Sequence, residues 1–399
     1  MGSVFSLAAG ADPRARLGPL LELLLPVVLV ALALAIGLRT ELAHYGGDLS
    51  GFVQFGSHFV RDTHPPRGSV ILRGASSNGY DGQFYYVLAR DPLLLHHSTL
   101  ADLDGQVFRA ERIGYPALAA LVSHAARVTL PLALVSVNVA VVVFLTLGFA
   151  WYARSRGWSG LWALALGLLP GFLLATLRDL TDPLATAAAL SGLIAYSRGY
   201  RWSAGLLLSL AVLTREPMAL VVVAVAIDAA TRAWHERRAA GSVRETIRGA
   251  APTVVLPALA FLGWELYVIV RNGGVVGHAA LRFPTFVSSI SAAIHSAPAK
   301  LIVWDVTYEV LILAAVVAAL ILVWRNRSTF AIAAMLVGVS MFFSGFQPIW
   351  GDTRDSLPVL ALLLVAGLEQ QHRAVLGICV AAAAMTALIP FAIPGLMTV

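Results

Sequence analysis

Lysine is almost absent: Lys300 is the only one in 399 residues. That excludes a Walker-type phosphate loop, whose Gly-x-x-x-x-Gly-Lys run needs its lysine on the nucleotide phosphates. Cys379 is the only cysteine, and it lies in an apolar run. One thiol makes neither a disulfide framework nor a cysteine-based metal site. The ten histidines are scattered, and none falls into His-x-x-x-His or His-Glu-x-x-His spacing. The adjacent His96 and His97 would point in different directions on a helix, which argues against zinc. No Gly-x-Ser-x-Gly elbow is present. Charge of either sign is scarce at 13%, against roughly 25% in soluble domains.

What the chain has is apolar length. Hydrophobic residues make up 58%, and the mean hydropathy is +0.79. This is the composition of an all-α polytopic membrane protein, a single integral membrane domain over residues 1–399. Residues 17–38 are too long for the apolar core of a signal peptide and are read as a retained first span. Residues 39–127 form a mixed interval without a full-length span, read as a long first extracytoplasmic loop carrying amphipathic helices. The remaining spans occupy 128–399, for about eleven in all. The net charge of +6 does not point to nucleic acid, because many of the arginines lie in short loops between spans. With the N-terminus inside, the inner loops hold Arg14, Arg16, Arg154, Arg156, Arg198, Arg201, five arginines from Arg232 to Arg248, Arg325, Arg327 and Arg373. Fewer acids lie there, which is the positive-inside pattern. The segments between Asp182 and Ala230 are short and read as half-spans or tilted helices packed inside the protein.

The orientation gathers the polar clusters on the outer face. These are Tyr80-Asp81-Gly82-Gln83, Arg109 to Tyr115, Arg178-Asp179 with Asp182, Arg215-Glu216, and Trp350 to Asp355. Charges at span ends are costly against lipid and usually line a cavity or pair with one another. Asp81 lies where a helix begins, so an N-cap is its plain reading. The sharper reading is a catalytic carboxylate, with Tyr80, Phe84 and Tyr85 shaping a pocket. Arg109 and Arg112 are three apart and share a face on a helix, presenting two guanidiniums to a phosphate. Asp102 and Asp104 form an Asp-x-Asp pair, which can hold a divalent cation against a phosphate; an Asp-Gly turn explains them equally. Asp48, after Gly46-Gly47, is a rival base or a turn residue. Pro170, Pro183, Pro217 and Pro358 are placed to break helices near the outer face.

Asp81-Gly82-Gln83-Phe84-Tyr85, the later Arg109-x-x-Arg112-Ile113-x-Tyr115-Pro116, Leu213-Thr214-Arg215-Glu216-Pro217 and Trp350-Gly351-Asp352-Thr353-Arg354 together resemble the membrane-embedded type C glycosyltransferases. Within these, a bacterial group with a Tyr-Asp-Gly-Gln-Phe-Tyr signature is the nearest in pattern. The mannosyltransferases of GPI-anchor assembly are distantly similar, but Gly82-Gln83 replaces their small and Trp-type residues. The resemblance covers roughly residues 17–370. It implies a multi-pass protein of the bacterial inner membrane, a sugar donor on a polyprenyl phosphate, and inverting transfer to a glycan or glycolipid on the extracytoplasmic face. It makes Asp81 the general base. Tyr80, Gln83, Tyr85, Arg109, Arg112, Tyr115, Arg178, Asp179, Asp182, Arg215, Glu216, Asp352 and Arg354 become substrate-binding candidates, with arginines on the departing phosphate. A flippase of a lipid-linked sugar and a scaffold subunit of an envelope polysaccharide machine are the competing classes. A transporter often shows internal repeats with paired broken helices, and the sequence shows no clear duplication.

Overall fold

The computed structural model of the chain describes residues 13–103, 107–238, 243–273, 299–344 and 350–392. It is an all-α membrane protein. Among the described residues five helices are long and apolar enough to cross a bilayer: 20–44, 130–155, 216–238, 243–272 and 306–326. Shorter apolar helices cover 201–214, 329–341 and 373–386. The first helix, α1 (Pro13–His44), has 32 residues. At 1.5 Å per residue it is about 48 Å long, more than the roughly 30 Å of a hydrocarbon core.

Residues 45–129, of which 104–106 lie outside the described residues, separate α1 from the next long helix. The described residues there hold three 3-10 turns (Leu49–Val53, Gly74–Ser76 and Val107–Glu111) and four helices: α2 (Val60–Thr63), α3 (Gly82–Arg90), α4 (His97–Ala101) and α5 (Gly114–Ala126). A two-residue parallel bridge pairs Phe55–Gly56 with Ile71–Leu72. This segment has its own apolar core, built on Phe55, Phe84, Tyr85, Leu88 and Tyr115 and continued by Leu134, Leu184 and Val268 of the bundle. Rings meet edge to face at Phe55–Tyr86 and Phe59–Phe84, 5.1 and 5.4 Å apart, and such pairs add to simple area burial.

The bundle proper runs through α6 (Leu130–Ser155), α7 (Trp162–Gly167), α8 (Pro170–Thr176), α9 (Asp182–Ser197), α10 (Arg201–Thr214), α11 (Ala219–Arg238) and α12 (Val243–Asn272). It continues with α13 (Ala299–Asn326), α14 (Thr329–Ser344), α15 (Trp350–Asp355), α16 (Leu357–Glu369) and α17 (Arg373–Ala392). The sequence reads 159–177 as one span; here it breaks at Leu168–Leu169, because Pro170 cannot donate a helical hydrogen bond and starts a new helix instead. Pro183, Pro217 and Pro358 likewise occupy first-turn positions. Short helices are tolerated where protein surrounds them. Every side chain from Leu357 to Leu368 is buried, so α16 is apolar all round and central. Most of α9 is buried too.

Candidate functional site

Asp81 stands at the N-cap position of α3, yet its side chain makes no cap hydrogen bond. Its carboxylate faces two arginines instead. Arg109 Nη1 donates to Oδ1 at 2.5 Å, and Arg354 Nη1 donates to Oδ2 at 3.1 Å. Burial alone would raise this carboxyl. Arg354, Arg109 and Arg112 outweigh it and hold the group well below the ordinary carboxylate range.

Gly82 fixes where α3 starts. A Cβ there would lie 2.6 Å from the Arg178 carbonyl oxygen, so the helix N-terminus packs directly on the turn between α8 and α9. That turn carries Asp179 in the left-handed region at φ 48°, leads into Asp182 on α9, and so brings the second polar cluster beside the first.

From Asp81 the ion pairs continue. Arg354 Nε lies 3.5 Å from Asp355 Oδ1, and Arg215 Nη2 lies 2.7 Å from the same oxygen. Arg215 also bridges Asp182. Alongside, Arg112 Nε meets Glu216 Oε1 at 2.8 Å, and its Nη1 donates to the Tyr85 hydroxyl at 3.2 Å. Four arginines thus balance four acids drawn from five separate stretches of chain. Tyr80 lies between Arg178 and Arg354, whose guanidinium carbons are 5.2 and 5.8 Å from its ring centre. Arg178 donates to Gln54 Oε1 at 3.0 Å.

A cavity of about 550 Å³ opens beside this network. Arg112, Arg215, Glu216 and Asp355 form its polar wall, and Met218 and Met341 are on its apolar wall. Its two-sided lining suits a ligand that is charged at one end and greasy at the other.

Compared with known protein families, characterised proteins and solved structures, the chain matches none. The site must therefore be read from its own chemistry.

The candidates divide into three groups. Asp81, Arg109, Arg112, Asp182, Arg215, Glu216 and Arg354 form the network, and Tyr80, Tyr85 and Arg178 border it. Gln83 and Tyr115 are engaged elsewhere. Gln83 accepts from the Gly56 amide and donates to the Asn78 carbonyl, while the Tyr115 hydroxyl donates to the Leu134 carbonyl and accepts from Asn138. Asp179 is wholly buried with neither carboxyl oxygen hydrogen-bonded, and burial pushes its carboxyl far up. Asp352 belongs to α15, and its side chain lies outside the described residues. Arg109 sits on a 3-10 turn that ends before Arg112. Both guanidiniums pass Phe108, at 5.8 and 5.5 Å, but each is tied to a different acid. Asp48 is a turn residue, accepting from the Ser50 amide at 2.8 Å. Asp102 follows α4 as its C-cap, and Asp104 lies outside the described residues. Among the described residues no group of three or more metal-ligating side chains converges.

Glu111 and Asp355 belong to the site without having been singled out. Asp355 adjoins Arg354 in sequence, so only the fold reveals that it also reaches Arg215. Glu111 is almost fully buried and hydrogen-bonds Glu265 of α12. Burial first, then Glu265 and Glu216, push its carboxyl up to about 8, with Arg112 opposing. A carboxyl that titrates near 4.5 unfolded and about 8 folded makes the folded state bind the extra proton between those values. Stability then falls as pH rises from about 4.5 through about 8. Glu111→Gln removes that titration while keeping a donor toward Glu265. Thermal unfolding between pH 5 and 8 is expected to show a shallower pH slope in the variant and a higher melting temperature than wild type at pH 8. Equal slopes in the two proteins would discard the assignment.

Proposed function

We propose that this cluster is the catalytic centre of a membrane glycosyltransferase that takes sugar from a polyprenyl-phosphate donor. The observation that carries the reading is the grip of Arg109 and Arg354 on the two oxygens of Asp81, beside a cavity with one charged and one apolar wall. Displacement at an anomeric carbon needs a carboxylate beside the acceptor oxygen and cations on the departing phosphate. The network holds both, mutually neutralised. An incoming phosphate competes for the guanidiniums, and each one it draws off Asp81 makes that carboxylate more basic. The acceptor hydroxyl then forms the new C–O bond as the bond to phosphate breaks, Asp81 takes its proton, and the sugar inverts.

In this reading the chain makes eleven passes, counting α7–α8 as one. The arginine-rich helix ends lie on the cytoplasmic side of a bacterial plasma membrane together with the N-terminus, and the site opens to the opposite face. The acceptor is a cell-envelope glycan or glycolipid. Buried charge in a membrane also marks transport pathways, so the test must separate bond formation from movement. Proteoliposomes holding the purified chain, a radiolabelled polyprenyl-phosphate hexose or pentose and an extracted envelope glycolipid fraction are expected to yield labelled product resistant to the mild acid that cleaves the donor. Label that crosses the bilayer while remaining acid-labile would identify a flippase instead.

A further inference from the structure

A groove of about 700 Å³ lies away from the charged network, in the apolar wall between α6, α9 and α10. Its lining follows two helices at helical spacing, with small residues at most of those positions. Ala140, Phe144 and Gly148 recur every fourth position on α6, and Ala187, Ser191 and Ala195 do so on α9, so each set lies along one face. Phe144 and Trp151, both well exposed, stand on its flank. Apart from a few hydroxyls the lining is carbon until the arginine-rich end, where Arg198 closes it.

Arg198 is the one arginine among the groove's lining residues; two other arginines of that end are paired with acids, while Arg156 and Arg201, like Arg198, meet aromatic rings. Arg154 is paired with Glu22 at 3.0 Å, and Arg232 with Asp228 at 3.0 Å. Arg198 touches the Ser155 hydroxyl and lies over the Trp151 and Tyr152 rings at 4.9 and 5.2 Å. Among the described residues no carboxylate pairs with it. Tyr200 completes a rim of aromatic side chains, the kind that collects at the headgroup level of a bilayer.

A long trough with one cation at a single tip matches a molecule that is apolar along its length and anionic at one end. We propose that the groove binds an anionic phospholipid, its phosphate on Arg198 and an acyl chain laid between α6 and α9. Arginine suits that phosphate because its planar fork offers parallel donors. A second copy of this chain is the rival occupant, because small residues at every fourth position also let helices pack closely in a bilayer; the guanidinium at the tip, which a second apolar helix would leave without an anion, favours the lipid. The inference stands apart from the catalytic reading and uses none of its residues.

Gly148 supplies the decisive variant. A Cβ added there meets nothing within 4 Å, so a larger side chain enters the trough without striking the protein. It sits one turn inside Tyr152, where a chain leaving Arg198 must pass. Leucine is also a better helix former than glycine, so Gly148→Leu keeps the fold. The experiment titrates the full-length, detergent-purified, delipidated protein with phosphatidylglycerol or phosphatidylcholine, reading melting temperature and bound lipid by native mass spectrometry. Phosphatidylglycerol is expected to bind and raise the melting temperature, and phosphatidylcholine to do so far more weakly. Arg198→Gln is expected to weaken phosphatidylglycerol about tenfold, the effect of one charge-assisted contact. Gly148→Leu should abolish the bound species. Equal response to both lipids, or undiminished phosphatidylglycerol on either variant, overturns the proposal. So does a lipid-free dimer that Gly148→Leu breaks, since the groove would then be an interface between copies.

Discussion

Asp81→Asn is expected to lower kcat for sugar transfer by about 10²- to 10⁴-fold, the usual contribution of a positioned general base, while the apparent KM for donor stays the same or falls. The direction of the second effect is what makes the test specific. Asparagine keeps the size of the side chain and can still accept from Arg109 or Arg354, but it carries no charge and takes up no proton. The two guanidiniums it leaves behind are better partners for an anionic phosphate than before, so binding is spared or improved as chemistry is lost. A merely structural role for Asp81 predicts the opposite split, with KM rising as the arginines drift. Arg354→Gln is the control, since it removes a phosphate donor and should raise KM. Folding is followed separately, because a carboxyl held below its unfolded value adds stability above about pH 4 that disappears as pH falls through the folded value. Steady-state kinetics on protein with an intact melting transition read the split directly, and full turnover in Asp81→Asn removes it as the base.

The sequence already contained the separate parts of this site but not their pairing. Pro170, Pro183, Pro217 and Pro358 mark helix starts because a missing N–H is tolerated only in the first turn, and all four begin helices or turns. Glu22 lies in the first apolar run and Glu265 in a later one, and an acid in such a position demands a partner. Which partner they find was not readable: Glu22 takes Arg154, and Glu265 takes Glu111. Pro170 was legible as a helix breaker, but reading 159–177 as one span left the split at Leu168–Leu169 undrawn. Asp81 shows the limit most clearly. An Asp ahead of a helix is ordinarily a cap, and local rules alone cannot say otherwise. Only the arrival of Arg109 and Arg354 from distant stretches turns its carboxylate away from the backbone.

Arg215→Met is expected to cost about 3–5 kcal/mol of stability, the scale seen when one partner of a buried ion pair is removed. Arg215 is nearly inaccessible and serves two acids, Asp182 on α9 and Asp355 on α15. Methionine fills much of its volume, so lost packing is the smaller effect. The larger one is an uncompensated carboxylate at Asp182, which has almost no contact with solvent. Asp355 is better protected because Arg354 remains beside it at 3.5 Å. That asymmetry predicts which second change rescues the first. Asp182→Asn in the Arg215→Met background should recover more than half of the loss, whereas Asp355→Asn should recover little and leave Arg354 short of a partner. Neighbours in one ion-pair network are not additive, so the double-mutant cycle with Asp182 should give a coupling well above that with Asp355. Denaturant or thermal midpoints in one detergent supply the numbers. Losses that simply add would mean Arg215 and Asp182 do not interact as placed, and the chain of charges from Asp81 to α9 would be broken at that link.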